Sequence, residues 1–139
     1  VKIEHLLSVN AIIFIGLGIA FALYGPLMID FFGIMAYEGN AVLYWYAASF
    51  SRLLGASLFG FGFLMWAIRG ILADEATPLE TRRGIILALL LGSIFGLIVA
   101  ITQQVSVWGA LIGWGIVMLF AVLVLGYTFF LVSGRNKFR

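Results

Sequence analysis

Residues 41–68 read AVLYWYAASFSRLLGASLFGFGFLMWAI, with Arg52 as the one charged residue in the stretch and Arg69 directly after it. A membrane-crossing helix needs about 20 mainly apolar residues to traverse roughly 30 Å of hydrocarbon. This run is long enough, and inside lipid it has to be helical, because no water is present to satisfy bare backbone N–H and C=O groups. Aromatic residues mark its ends: Tyr44, Trp45 and Tyr46 on one side, Trp66 on the other. At about 1.5 Å of rise per residue, the separation of Tyr46 and Trp66 matches the hydrocarbon thickness, and ring side chains favour the interfacial depth.

Three further runs have the same character, so the expected spans are residues 6–25, 41–68, 84–103 and 108–132. Pro26 stops the first, and Trp108 and Tyr127 bracket the fourth. Across all 139 residues, 64 % are hydrophobic and 10 % charged. A soluble domain carries about 25 % charged residues, so this chain has too little polar surface to cover itself in water. The first run exceeds the roughly 7–15 apolar residues of a signal-peptide core and is read as a span. The expected fold is all-α: one domain over residues 1–139, a transmembrane four-helix bundle with antiparallel, up-down helices.

The connections are legible as well. After Pro26 come Leu27, Met28, Ile29, Phe31, Phe32 and Ile34, broken by Asp30 and Gly33. The segment is too short to span and is expected to form a turn or short helix lying in the interface. The loop from Gly70 to Arg83 holds Asp74, Glu75, Thr77, Pro78, Glu80 and Thr81. Its composition suits a short turn, with Thr81 as the expected cap of span three. Only a few residues follow Gln104 before span four, which predicts a tight antiparallel hairpin.

Basic residues give an orientation. Lys2 precedes span one; Arg69, Arg82 and Arg83 flank the loop between spans two and three; Arg135, Lys137 and Arg139 follow span four; the other two loops contain no Lys or Arg. With four spans, all three basic regions fall on one side, which the positive-inside rule makes cytoplasmic. The expectation is a multi-pass protein of the cell inner (plasma) membrane with both termini cytoplasmic. The net charge of +2 comes from these helix ends, which predicts the lipid bilayer and other membrane subunits as partners and no nucleic acid.

Few side chains here carry chemistry. Arg52 lies six positions past Tyr46, about 9 Å below the interface that Tyr46 marks. An arginine at that depth costs roughly 2–3 kcal/mol on lenient insertion scales, so it has to face the bundle or snorkel outward. It is either an anion- or headgroup-binding group or a structural tie between helix ends. Asp30, Glu38, Gln103 and Gln104 are the polar residues at that level, and Arg52, Gln103 and Gln104 form the candidate polar cluster. The two glutamines are read first as marking the wet end of span three, with the polar cluster as the candidate site. His5, the sole histidine, is a weak candidate ligand for a haem or a pigment beside its plainer reading as a solvated residue at the mouth of span one. No metal site and no cofactor are expected, while a bound lipid suits the chain. The absence of cysteine excludes a disulfide, a thiolate metal site and a cysteine nucleophile.

Glycines recur in a pattern that permits close helix approach. Gly55 and Gly60, with Ser51 and Ala56, make a small face on span two. Gly92 and Gly96, and again Gly109 and Gly113, have G-x-x-x-G spacing, and Gly16 and Ala20 repeat it on span one. No Asp or Glu stands mid-span, and there is no Walker loop, H-E-x-x-H or serine triad.

The string RLLGASLFGFGFLMWAIR from Arg52 to Arg69, preceded by Phe32-Gly33-Ile34 and followed by Arg82-Arg83 and Gly113-Trp114, resembles a group of small four-span bacterial integral membrane proteins of unknown function. The resemblance extends from Gly16 to Tyr127 and implies a four-span fold, with no activity and no catalytic residue to carry over. The expected role is non-enzymatic: an accessory or structural subunit packing in a larger membrane complex, respiratory or photosynthetic, or a homo-oligomer. The alternative is a small transporter or a lipid- or anion-binding protein that uses Arg52. An enzyme ranks last, since a general base within the spans is missing.

Overall fold

A computed structural model describes residues 3–33, 40–74, 76–108 and 110–136. Lys2, Ile34, Glu38, Glu75, Gly109, Lys137 and Arg139, all invoked above, lie outside the described residues. The described residues form five helices and no strand: α1 (Ile3–Leu23), α2 (Gly25–Phe31), α3 (Ala41–Ala73), α4 (Leu79–Ser106) and α5 (Ile112–Asn136). All but α2 are long and apolar enough to cross a membrane. The all-α, multi-pass architecture is therefore the observed one. The helices group into two compact units, one ending at Ala73 and the other beginning at Asp74.

In the first unit α1 and α3 run antiparallel. The buried positions of α1 are Leu7, Asn10, Ala11, Phe14 and Gly18, and those of α3 are Ala48, Ser51, Gly55, Gly62 and Leu72. Half-buried Leu58, Met65 and Arg69 complete the α3 series. Both series advance in steps of three and four, the spacing of helices packed along a common seam. Ala48, Ser51, Gly55 and Gly62 make much of the α3 seam small, and backbone touches backbone at the glycines. A Cβ at Gly18 would stand 2.5 Å from the Phe59 nitrogen, and one at Gly62 would stand 2.9 Å from the Ile15 nitrogen.

Pro26 supplies no N–H for the carbonyl of Ala22, so the helical ladder breaks there. The chain bends at Tyr24 and resumes at once as α2, with the Met28 N–H donating to the Tyr24 carbonyl over 2.9 Å. α2 packs on α3, and the Ser51 hydroxyl donates to the Gly25 carbonyl over 3.4 Å. Gly33 ends α2 at φ 73°, a left-handed conformation that glycine adopts without penalty, and its N–H donates to the Asp30 carbonyl. The expected segment after Pro26 is thus a short helix. Asn40 starts α3: its Oδ1 accepts the N–H groups of Val42 and Leu43, satisfying donors that a helix start leaves orphaned.

The second unit opens with a turn in which the Asp74 carboxylate accepts the Ala76 N–H over 2.9 Å, and the Arg82 guanidinium reaches back to donate to the Asp74 carbonyl. Here one expectation fails. Pro78, not Thr81, occupies the position before α4, and Thr81 is already inside the helix. Proline's fixed φ and missing N–H suit a helix start without a side-chain cap. α4 and α5 form the expected antiparallel hairpin, closed by residues 107–111. α5 opens at Ile112, so Trp108 stands in the connection. Tyr127, expected to bracket span four, is fully buried against protein. A phenol can be buried in an apolar seam when its hydroxyl finds a partner.

Candidate functional site

Arg52 sits one turn into the small seam of α3, directly after buried Ser51, but is itself exposed. Its stem packs over the bend between α1 and α2: a Cβ at Gly25 would stand 3.2 Å from the Arg52 Cγ and 3.2 Å from the Ala48 carbonyl oxygen. The guanidinium has no hydrogen bond and no ion pair among the described residues, and Asp30, also exposed, does not meet it. Gln103 and Gln104 belong to the second unit, where Gln104 has its own partners. Its amide is buried, 8 % exposed, and donates from Nε2 to the Ala110 carbonyl over 3.2 Å. The same side chain lies across the Cα of Gly113, in the space a side chain there would fill. Its Oε1 is buried with no hydrogen-bond partner among the described residues. Gln103 is half-buried, and its carbonyl accepts the N–H groups of Val107 and Trp108 at the end of α4. Gln104 thus closes the α4–α5 connection at the end of α4.

The glycines divide into two groups. Gly55 is buried against the backbone of Gly18, Phe21 and Ala22, and Gly96 takes the ring of Phe120. At Gly60 and Gly92, by contrast, an added Cβ would meet nothing within 4 Å among the described residues, and Gly16 is equally open. Gly18 and Gly62, which spacing alone did not single out, carry much of the α1–α3 approach.

From the sequence alone Arg69 is only a topological charge. In the structure its Nη1 donates to the Ser8 hydroxyl over 3.2 Å, its guanidinium lies 4.4 Å from the Trp66 ring centroid, and Ser8 in turn donates to the Glu4 carbonyl over 2.6 Å. This chain of contacts ties the start of α1 to the far end of α3. Spacing gave one hint: Trp66 and Arg69 are three residues apart, on one helix face. Asn10, fully buried on α1, was also passed over. A lone amide in an otherwise apolar run is the signal that marks it. His5 is exposed in the first turn of α1. No three of His, Asp and Glu gather into a metal-binding group among the described residues.

No family model, no curated protein and no solved structure matches this chain. What stands is the multi-pass helical architecture itself, with four helices of membrane-spanning length and composition.

Proposed function

We propose that the chain is a non-enzymatic membrane subunit whose third helix holds α1 with one small-residue face and offers a second such face to another transmembrane helix. One observation carries this reading. Ser49, Ala56, Gly60, Ala67 and Gly70 are exposed on α3 at the same three- and four-residue steps as the buried seam, together with Leu53 and Phe63. At about 100° per residue they fall on the side of the helix away from α1. An added Cβ at Gly60 or Gly70 meets no atom within 4 Å among the described residues. Between these faces runs a stripe of large apolar residues, Leu54, Phe61 and Leu64, exposed as lipid contact demands. Glycine and alanine gain little from lipid, whereas they let a second backbone approach closely.

In this reading the chain works in a larger membrane assembly or with copies of itself, in the plasma membrane, with the basic ends of the helices and both termini on the cytoplasmic side. Gentle solubilisation of the native membrane followed by identification of every copurifying polypeptide tests it. The expected result is a stable complex of defined stoichiometry that is lost on Gly60→Leu. A solitary monomer in mild detergent overturns it.

A further inference from the structure

Arg52 and Arg69 are the two charges of α3, and they bound its longest uncharged stretch, Leu53–Ile68. The antiparallel partner has the same boundaries. Ser8 of α1 is bonded to Arg69, and Gly25, where the chain bends into α2, lies under the stem of Arg52. Between them the chain runs uncharged from Val9 to Tyr24, through α1 to the bend. Each uncharged stretch has a length of about 24 Å, and the remainder of a roughly 30 Å hydrocarbon layer is within reach of arginine side chains that snorkel outward. Exposed Tyr24 stands at the Arg52 level and exposed Trp66 near the Arg69 level, as interfacial rings do.

The two arginines differ in what satisfies them. Side chains on a helix lean toward its N-terminus. Arg69 therefore leans into the apolar stretch and is met there by Ser8 and Trp66. Arg52 leans away from that stretch, toward Ala41, and its exposed guanidinium has no protein partner among the described residues. A guanidinium keeps its charge at any depth, and its planar fork fits a phosphate. We propose that Arg52 binds the phosphate of a membrane lipid, so that α3 crosses the hydrocarbon only from Leu53 to Ile68. α2 and the first eleven residues of α3, Ala41–Ser51, then form a ledge at and beyond the headgroup level. The proposal rests on α3 crossing a membrane and not on what partner the chain has.

Because the chain has no cysteine, single cysteines at Ser49, Leu53, Ala56, Gly60, Leu64 and Ile68 can each carry a nitroxide in the full chain, reconstituted in phosphatidylcholine–phosphatidylglycerol vesicles. If arginines at both ends set the slab, the depth profile from oxygen and polar-relaxant accessibility peaks at Gly60–Phe61. A peak at Ala56, midway between Tyr46 and Trp66, overturns the proposal, and this scan leaves Arg52 intact. Native mass spectrometry of the chain from the same vesicles supplies the second arm. A retained phospholipid is expected to fall about tenfold in R52Q, the loss of a charged hydrogen bond, and to persist in R69Q. Equal retention in wild type and R52Q overturns the proposal. So does displacement of the lipid by millimolar inorganic phosphate, which would assign Arg52 to a soluble anion.

Discussion

The two units use glycine in opposite ways. Between α1 and α3, Gly18, Gly55 and Gly62 bring main chain against main chain, so what an added Cβ would strike is mostly backbone. Between α4 and α5, Gly96 and Gly113 are notches that receive a side chain from the partner helix: the Phe120 ring in one, the Gln104 amide in the other, with the Trp108 ring of the connection also against Gly113. A side chain can swing to another rotamer, but a helix backbone moves only with the whole helix. Identical residues at similar spacing should therefore tolerate substitution very differently, because what matters is which atoms fill the space and whether they can yield.

Gly55→Leu is the harshest test of that difference. Its branched side chain has to push α1 off α3, and overpacking of this kind costs about 1–3 kcal/mol or more. Equilibrium unfolding in mixed micelles should show the largest destabilisation of the series. Gly96→Ala comes next. The Phe120 ring can rotate away at about 0.5–1.5 kcal/mol for an off-rotamer side chain, and a Phe120→Leu partner substitution should recover most of the loss. A full Gly55-sized effect that Phe120→Leu does not relieve would erase the distinction between the units. Gly113→Ala displaces the Gln104 amide and its bond to the Ala110 carbonyl. In membranes interhelical hydrogen bonds average about 0.6 kcal/mol, so the shift should be small, and Gln104→Leu in the same background should add little to it. Gly92→Ala should leave stability within about 0.5 kcal/mol, the usual range for an open surface position.

How much of this was readable in advance follows from the solvent. Length and lack of charge identify all four long helices, because backbone satisfaction in hydrocarbon leaves the chain no other choice, and Pro26 marks where the first one stops. The packed faces were harder to see. In water an apolar stripe points to the core, but in lipid apolar residues suit both sides of a helix, so Leu54 and Leu58 look alike in sequence although one is exposed and the other half-buried. Small residues are the remaining signal, and α3 has two sets of them. Gly55 and Gly60 read as one face, yet at five residues apart they point in very different directions. Arg69 looked like a topological charge because its partner Ser8 is sixty-one residues away in the chain. Thr81 has the local character of a helix cap, but Pro78 starts the same helix three residues earlier by fixing its own φ.

The decisive measurement concerns the second small face of α3. A diazirine-bearing side chain at Ala56, illuminated in the native membrane, should give a discrete adduct with another polypeptide, while the same probe at Leu54 on the large apolar stripe should label lipid alone. Equal labelling from the two positions, with no protein adduct from Ala56, would contradict the account.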